Sequence, residues 1–382
     1  MNGYGLVDQI RSRQGEWLEA LRGLVRHESP SLDKPALDAL ARTLAWRFEA
    51  IGGKVEVVAN PDGGDHLIAR FFDDGSDPSG AKSNLVVGHF DTVWPVGTLA
   101  GMPFRVEGER AFGPGVYDMK ASLVLVEFAL GAIRDLGLKP NRPVEVLLTS
   151  DEEIGSPTSR ALIERRAGLS RAAWIVEPPL ADGSLKTARK GVGHYRITVE
   201  GKAAHAGVEP EKGISAVDEL ARIVLGLHAL SDPTIGTSVN VGMVEGGTAS
   251  NVVAARASAQ VDVRAKTREQ AEALDATIRS LKPHHPEARL TIQGGFNRPP
   301  MERTAAGVAL FERAREIGRT VGLELGEGAT GGGSDGNFTA ALGVPTLDGL
   351  GVRGEGAHAR HEQVDLASLP RRAALLATLL LD

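Results

Sequence analysis

Short apolar runs alternate with amphipathic segments through the first half of the chain, and this alternation constrains the fold more than any other feature. The apolar runs at residues 85–87, 144–149 and 173–176 have the length and composition of buried strands. Residues 119–136 and 158–167, which lie between them, have the periodicity of helices. Strands that alternate with helices in this way predict an α/β fold with a mixed, largely parallel sheet flanked by helices.

The pattern changes over residues 190–298, where apolar and polar residues alternate with a period of two. Strands are predicted in this region at 193–201, 238–244, 257–264 and 289–293, and helices at 213–230 and 267–281. Half-buried strands interleaved with two helices predict a small α+β unit with one exposed sheet face. Long helical patterns return after Pro300, so we predict that residues 190–298 are inserted into a larger domain made of residues 1–189 and 299–382.

The larger domain has further predicted elements outside the alternating core. These are helices at 7–25, 35–52, 305–322 and 366–381, strands at 55–58, 66–71 and 343–347, and a surface loop at 74–83. The first thirty residues carry charges throughout and lack an apolar central region, which favours an amphipathic helix over a signal peptide. A cytoplasmic protein is therefore expected.

Composition excludes several classes of site. The chain of 382 residues contains no cysteine, which rules out disulfides, thiolate nucleophiles and cysteine-ligated zinc. The net charge is −6 and no long basic run occurs, so nucleic acid is not an expected partner. No apolar run reaches the length of about 18 residues that a membrane span requires, so no membrane partner is expected either.

Metal-binding residue types follow three successive predicted strands. His89 and Asp91 follow the first strand, Glu152 and Glu153 the second, and Glu177 the third. Sites in open α/β sheets are built beyond the carboxyl ends of the strands, where such side chains meet. Imidazoles and carboxylates are the ligands that hard or borderline divalent ions prefer, so the pattern predicts a metal site.

Two further candidates lie away from these strand ends. Asp118 follows the glycine-rich loop at 113–115, and His358 lies in a Gly-Ala-His sequence. Carboxylates beside a metal also suit water activation, because the ion lowers the pKa of bound water and a base takes the proton.

Each candidate has a simpler explanation when it is taken alone. Glu152 and Glu153 suit an exposed helix N-terminus, where the helix dipole favours negative charge. Glu177 precedes a proline turn, and His358 fits a surface loop. For Asp335, which follows three glycines, we favour the role of a helix N-cap. The joint placement of the others at successive strand ends favours a functional site.

Three segments resemble the signature blocks of a known enzyme family. Residues 88–93 (GHFDTV), 113–120 (GPGVYDMK) and 149–155 (TSDEEIG) are similar to blocks of the di-zinc aminoacylase/carboxypeptidase G metallopeptidases. Later segments at 204–207 (AHAG), 331–335 (GGGSD) and 364–372 (VDLASLPRR) extend the likeness over nearly the whole chain. The last two of these blocks are most similar to zinc-dependent glutamate carboxypeptidases that cleave folates.

The resemblance implies a zinc-peptidase-like catalytic domain that holds two zinc ions per subunit. Asp118 would bridge the two ions, with His89 and Glu177 completing one site. Glu153 and His358 would complete the other. The family often has Asp-Asn or Asp-Asp where this chain has Asp118-Met119, so the cis form of this bond, typical of the family, is left open. His361 also lies close to His358, but the Gly-Ala-His context favours His358 as the ligand.

The resemblance also implies catalytic roles for three residues outside the ligand set. Glu152 would be the general base, and Asp91 would orient His89 by accepting its other ring N–H. The inserted domain would mediate homodimerisation or act as a lid, and His205 on it would reach the active site of the partner subunit.

The substrate's free carboxylate requires a cationic partner, and the resemblance favours residues near the inserted domain. Arg264 ends an alternating strand, and its planar fork suits a carboxylate. Asn251, Gly333 and Ser334 are the other predicted substrate contacts. Arg298, at the domain boundary, is a further candidate, and each arginine could equally be a solvated surface residue.

We expect a zinc-dependent hydrolase that releases a C-terminal amino acid, with glutamate as a candidate, from a peptide or N-acyl substrate. An N-acyl amino acid deacylase of the acetylornithine or succinyl-diaminopimelate type requires the same metal site and is the alternative. A non-catalytic binding protein on a peptidase fold would lack ligands or the base, and here none is missing.

Overall fold

The computed structural model describes residues 3–73 and 82–382. The described residues form ten α-helices, α1 Gly3–Ser12, α2 Gln14–Arg26, α3 Lys34–Ala50, α4 Ala121–Asp135, α5 Arg160–Gly168, α6 Ala216–His228, α7 Arg268–Arg279, α8 Ala305–Thr320, α9 Gly336–Ala341 and α10 Ser368–Leu381. They also form sixteen strands, β1 Lys54–Val58, β2 His66–Phe71, β3 Ser83–His89, β4 Arg105–Glu107, β5 Arg110–Phe112, β6 Val144–Thr149, β7 Ser170–Ile175, β8 Leu185–Arg189, β9 Gly191–Glu200, β10 Ser238–Gly246, β11 Arg256–Ala265, β12 Arg289–Arg298, β13 Glu327–Thr330, β14 Thr346–Leu347, β15 Gly354–Glu355 and β16 Gln363–Asp365. The loop predicted over 74–83 lies, for residues 74–81, outside the described residues.

The chain divides into two compact units. The larger comprises Met1–Ala188, Arg303–Thr330 and Ser334–Asp382, and the smaller comprises Arg189–Glu302 and Gly331–Gly333. Among the described residues, no helix is both long enough and apolar enough to pass through a bilayer.

The larger unit is built on a six-stranded sheet with the strand order β1-β2-β6-β3-β7-β14. Strand β3 pairs in parallel with β6 and with β7, and β14 pairs in parallel with β7, whereas β1 and β2 are antiparallel additions at one edge. Every residue of β6 is buried, as expected for a strand covered on both faces. The predicted mixed, largely parallel sheet flanked by helices is confirmed.

Helices of the larger unit cover the sheet with their apolar faces. Helix α4 is buried over most of its length, and α10 packs against it. Helix α3 begins where the Asp33 carboxylate accepts a hydrogen bond from the Ala36 N–H (3.1 Å). The single helix predicted over 7–25 is wrong, because the backbone of Arg13 leaves helical geometry (φ −97°, ψ 24°) and separates α1 from α2.

Four short strands that the sequence did not predict form a second sheet in the larger unit. Their order is β15-β16-β5-β4, and all neighbours are antiparallel. Strands of two or three residues are too short to show a period in the sequence, which explains why they were missed. This sheet places residues just before Gln363 beside the segment that leads to Asp118.

The smaller unit is a four-stranded antiparallel sheet, in the order β10-β11-β9-β12, with its own apolar core. Helices α6 and α7 pack on it, and α7 begins with a capping box formed by Thr267 and Gln270. The main segment of this unit begins and ends in paired backbone. The Arg189 N–H donates to the carbonyl of Met301 (2.9 Å), and the Met301 N–H donates to that of Arg189 (3.0 Å).

A buried cation holds helix α10 to three loop carbonyls. The Arg372 guanidinium donates to the carbonyl oxygens of Gly349, Gly351 and Gly183, and burial lowers its pKa to about 10.

We expect Arg372→Ala to reduce the free energy of unfolding by about 3–5 kcal/mol, because it leaves a cavity and three carbonyls without their donor. Urea denaturation measures this change. The exposed neighbour Arg371 provides the control, and an equal loss for Arg371→Ala would contradict the prediction.

Candidate metal centre

The ends of three parallel strands bring the predicted ligands together. His89 is the last residue of β3, Glu152 and Glu153 lie in a short turn after β6, and Glu177 follows β7. Strand β3 lies between β6 and β7, and its last residue His89 is paired in register with Thr149 of β6. The carboxyl ends of these strands therefore meet at one edge of the sheet, as predicted.

Asp118 lies in an irregular turn just before α4. The turn spans Val116–Lys120, the Asp118–Met119 peptide bond is cis, and Asp118 itself has non-helical backbone angles (φ −115°, ψ 90°). Gly115 precedes the turn with a left-handed φ of 68°, and a Cβ there would lie 2.5 Å from Cγ2 of Thr92. Only glycine therefore fits at this position without displacing its neighbours.

The two oxygens of the Asp118 carboxylate face two different imidazoles. Nε2 of His89 lies 3.2 Å from Oδ1 of Asp118 and 3.5 Å from Oε1 of Glu177. Nε2 of His358 lies 3.3 Å from Oδ2 of Asp118 and 3.1 Å from Oε2 of Glu153. Asp118 thus stands between two groups of ligand atoms, each with one imidazole and one glutamate.

The donor set fits divalent ions. Ligand atoms of His89, Glu152 and Glu177 lie within 4.8 Å of one another, and so do those of His89, Asp118 and Glu153. Nitrogen and oxygen donors in such groups suit zinc and similar borderline ions. Carboxylates gathered in a largely buried site also require positive charge to offset the cost of their desolvation.

The pKa values of both imidazoles indicate the same preference for positive charge. Burial alone lowers the pKa of His89, but hydrogen bonds to Asp118 and Asp91 outweigh it and leave this pKa well above its ordinary value. Hydrogen bonds to Asp118 and Glu153 raise the pKa of His358 to about 10. A divalent ion competes with these protons for the same nitrogen atoms.

Asp91 connects His89 to the turn that carries the two glutamates. Its carboxylate is fully buried and lies 3.3 Å from Nδ1 of His89. It accepts hydrogen bonds from the backbone N–H groups of Glu152 (3.2 Å) and Glu153 (3.1 Å). Ser31, which the sequence analysis missed, donates a further one (2.7 Å). This arrangement fixes the orientation of the His89 ring, whose other nitrogen faces Asp118 and Glu177.

Asp335 does not act as the helix cap that the sequence suggested. It precedes α9, but its side chain makes no capping hydrogen bond. Instead the carboxylate accepts hydrogen bonds from the hydroxyls of Thr149 (2.9 Å) and Ser156 (2.5 Å). The capping interpretation is therefore wrong, and Asp335 braces the segment around the glutamate pair.

His205 and Asn251 lie on the smaller unit. Both are exposed, and the carbonyl of Asn251 accepts a hydrogen bond from the N–H of Ala206 (2.9 Å). The N–H of Gly207 donates to Nδ1 of His205 (3.2 Å), so the neutral ring carries its proton on Nε2. The catalytic role of His205 and the substrate role of Asn251 remain predictions.

The other predicted substrate contacts have partners within their own units. Two nitrogens of Arg264 each lie 2.8 Å from an oxygen of Asp262, two residues earlier on the same strand. Gly333 belongs to the smaller unit, where its carbonyl accepts a hydrogen bond from Arg189 (3.0 Å). Ser334 is fully buried, and its hydroxyl donates to Asp348 (2.7 Å). Contacts of these residues with substrate also remain predictions.

Comparison with known proteins agrees with the resemblance in the sequence. The model of peptidase family M20/M25/M40 matches residues 85–382. Carboxypeptidase G2 of Pseudomonas sp. (strain RS-16) is 31% identical over 387 residues, which cover 99% of this chain and 91% of that protein.

Solved structures show the same fold at lower sequence identity. Aminopeptidase PepT of Bacillus cereus ATCC 10987 superposes with a TM-score of 0.77 at 22% identity, covering 96% of this chain and 98% of that chain. The M20 family metallo-carboxypeptidase Sso-CP2 of Sulfolobus solfataricus superposes with a TM-score of 0.72 at 18% identity, again covering 96% and 98%. The family predicted from the motifs is confirmed: the chain belongs to peptidase family M20/M25/M40 and is a hydrolase of the metallopeptidase class.

Proposed function

We propose that this protein is a zinc-dependent carboxypeptidase that hydrolyses an amide bond and releases a C-terminal amino acid, with glutamate as the first candidate. The observation that carries the proposal is the Asp118 carboxylate, which has one oxygen beside His89 and the other beside His358. Similarity to carboxypeptidase G2 over nearly the whole chain supports the carboxypeptidase reaction in particular.

In this proposal two zinc ions would be held at the centre, and Asp118 would serve as a ligand for both. His89 and Glu177 would be the further ligands of one ion, and His358 and Glu153 those of the other. Bound zinc polarises a carbonyl group and lowers the pKa of a water molecule, which is the chemistry that amide hydrolysis requires.

The remaining residues handle protons and developing charge. Glu152 accepts a proton from the attacking water and delivers it to the leaving amine, as a general acid–base group does. Asp91 keeps the imidazole of His89 in one orientation. His205 donates its Nε2–H to the oxygen that becomes negative in the tetrahedral intermediate.

We also propose that the protein acts as a homodimer through the smaller unit. Strand β10 is an edge strand of its sheet, and it exposes Met243 (52%) and Val244 (58%). Exposed edges with apolar side chains are usually covered by another chain or element. In such a dimer His205 can serve the metal centre of the partner subunit.

An N-acyl amino acid deacylase remains the second candidate, because it would use the same ligands and the same base. The two reactions differ in the part of the substrate that is recognised, since a carboxypeptidase tolerates a larger acyl portion. A binding protein without activity is a third candidate from another class, and the presence of all five proposed ligands and of Glu152 disfavours it.

Metal removal and a substrate panel test the proposed function. Dialysis against a chelator should abolish hydrolysis, and zinc should restore it at about two ions per chain, measured by elemental analysis. The panel compares folate, short peptides ending in glutamate or alanine, and acetylated amino acids. Release of a C-terminal amino acid from folate or from the peptides supports the carboxypeptidase. Cleavage of the acetylated amino acids alone favours the deacylase. Zinc binding well below one ion per chain would overturn both.

A further inference from the structure

Glu362 is a buried carboxylate to which the proposed mechanism assigns no role. From the described residues its side chain accepts four hydrogen bonds, one of them from a side chain, the indole N–H of Trp94 (2.8 Å). The other three come from the backbone N–H groups of Gly115 (2.9 Å), Tyr117 (2.9 Å) and Asp118 (3.0 Å). One carboxylate thus binds the backbone of Tyr117 and Asp118 in the turn and that of Gly115 just before it.

The same short segment carries both Glu362 and His358. Within it the Ala359 N–H donates to the carbonyl of Gly356 and the Glu362 N–H to that of Ala359, both at 2.9 Å. The backbone of His358 adopts a left-handed φ of 62°, which is uncommon for a residue other than glycine. The path from His358 to Glu362 is therefore short and closed by hydrogen bonds.

Each oxygen of the Glu362 carboxylate serves two donors. Oε1 accepts from Tyr117 and Asp118, and Oε2 accepts from Gly115 and Trp94. These backbone N–H groups lie before α4, and N–H groups at the start of a helix have no acceptor within that helix, so Glu362 supplies one for them. Hydrogen bonds to an ionised acceptor are stronger than neutral ones, and a buried N–H left without an acceptor is costly.

We infer that Glu362 is a positioning residue that joins the Asp118 turn to the His358 segment and thereby sets the separation of these two ligands. This inference rests on the proposed metal centre, since a ligand separation matters only if an ion binds there. Glu362 is not among the proposed metal ligands. It acts on the centre through the backbone of Asp118 at one end and through the chain leading to His358 at the other.

Glu362→Gln tests this role because an amide offers one acceptor oxygen instead of two. Two of the four donors then face an NH₂ group and lose their acceptor. Metal affinity, measured by competition with a chelator, should fall on the order of 10–100-fold, the usual loss when a group supporting a metal ligand is removed. The visible absorption bands of the cobalt-substituted protein should also change, because Asp118 and His358 shift relative to the ion.

Glu28→Gln is the matched control. Glu28 is also a carboxylate that accepts backbone hydrogen bonds from a loop, those of Gly97 (2.7 Å) and Leu99 (2.8 Å), but neither residue carries a ligand. A loss of backbone hydrogen bonds should therefore lower the stability of both variants. Only Glu362→Gln should change metal affinity and the cobalt spectrum.

A second variant covers failure of Glu362→Gln to fold. Glu362→Asp keeps the charge but shortens the side chain by one methylene, so metal affinity should again fall and the spectrum should change. Wild-type affinity and an unchanged spectrum in the folded variants would overturn the role of Glu362 and leave the metal centre intact. A wild-type protein that binds no divalent ion would instead overturn the metal centre, and the role of Glu362 with it.

Discussion

Glu152→Gln should reduce kcat on the order of 10²–10⁴-fold while the metal content stays at the wild-type level. Glutamine keeps the shape of the side chain but cannot take a proton from water at neutral pH. A carboxylate oxygen of Glu152 lies within 4.8 Å of ligand atoms of His89 and Glu177, so its position suits a base beside the proposed metal centre. Steady-state kinetics and elemental analysis of the same preparation measure both quantities.

Glu153→Gln is the natural comparison because the two glutamates are adjacent and both lie near His89. Glu153 has an oxygen 3.1 Å from Nε2 of His358, which places it in the second ligand group. We expect this variant to lose bound zinc as well as activity. If Glu152→Gln loses zinc and Glu153→Gln keeps it, the two roles are reversed. If Glu152→Gln retains most of its activity, it is not the base.

His205→Ala should lower kcat on the order of 10²–10³-fold and leave zinc affinity unchanged, since it removes a donor to a developing negative oxygen. The tautomer supports this role, because Nδ1 accepts from the N–H of Gly207 and the proton is left on Nε2. His228→Ala provides the control, as His228 is also an exposed histidine of the smaller unit. An equal fall in both variants would contradict a specific role for His205.

Subunit mixing shows which chain supplies the imidazole. His205→Ala and Glu152→Gln are each defective, but if His205 acts on the partner subunit, one site of the mixed dimer contains both intact residues. Recovery after verified subunit exchange would support action on the partner, and no recovery would place His205 in its own chain. Sedimentation of the wild-type protein at micromolar concentration must show a dimer for this experiment to apply.

The sheet and the grouping of candidate ligands at its strand ends could be predicted because both depend on local signals. Largely apolar runs indicate where β3 and β6 end, and parallel pairing then brings His89 near the residues that follow β6. Placing these candidate ligands at one edge of the sheet did not require any knowledge of contacts between distant parts of the chain. Asp118 and His358 lie outside such strands. Their residue types made them candidates, but their roles as ligands were assigned through the resemblance.

The supporting residues could not be predicted because their partners are distant in sequence. Glu362 binds a turn about 245 residues earlier, and Ser31 donates to a carboxylate 60 residues later. Neither contact leaves a periodic pattern, and the strands that bring Glu362 into place have two or three residues each. The prediction for Asp335 was wrong for a related reason. Its position before a helix suggested a cap, but its carboxylate accepts hydrogen bonds from the distant Thr149 and Ser156.

The hydrogen-bonded pairing of Arg189 with Met301 bears on how the segment between them can be inserted or exchanged during evolution. A segment whose two ends are already joined by hydrogen bonds adds only a small loop-closure entropy to its host, whatever its length. A sequence of this kind can be gained, lost or exchanged between relatives without rebuilding the sheet that receives it. The same pairing makes Arg189 and Glu302 suitable ends for a recombinant fragment. Exchanging that fragment among relatives would show which of their substrate preferences depend on it.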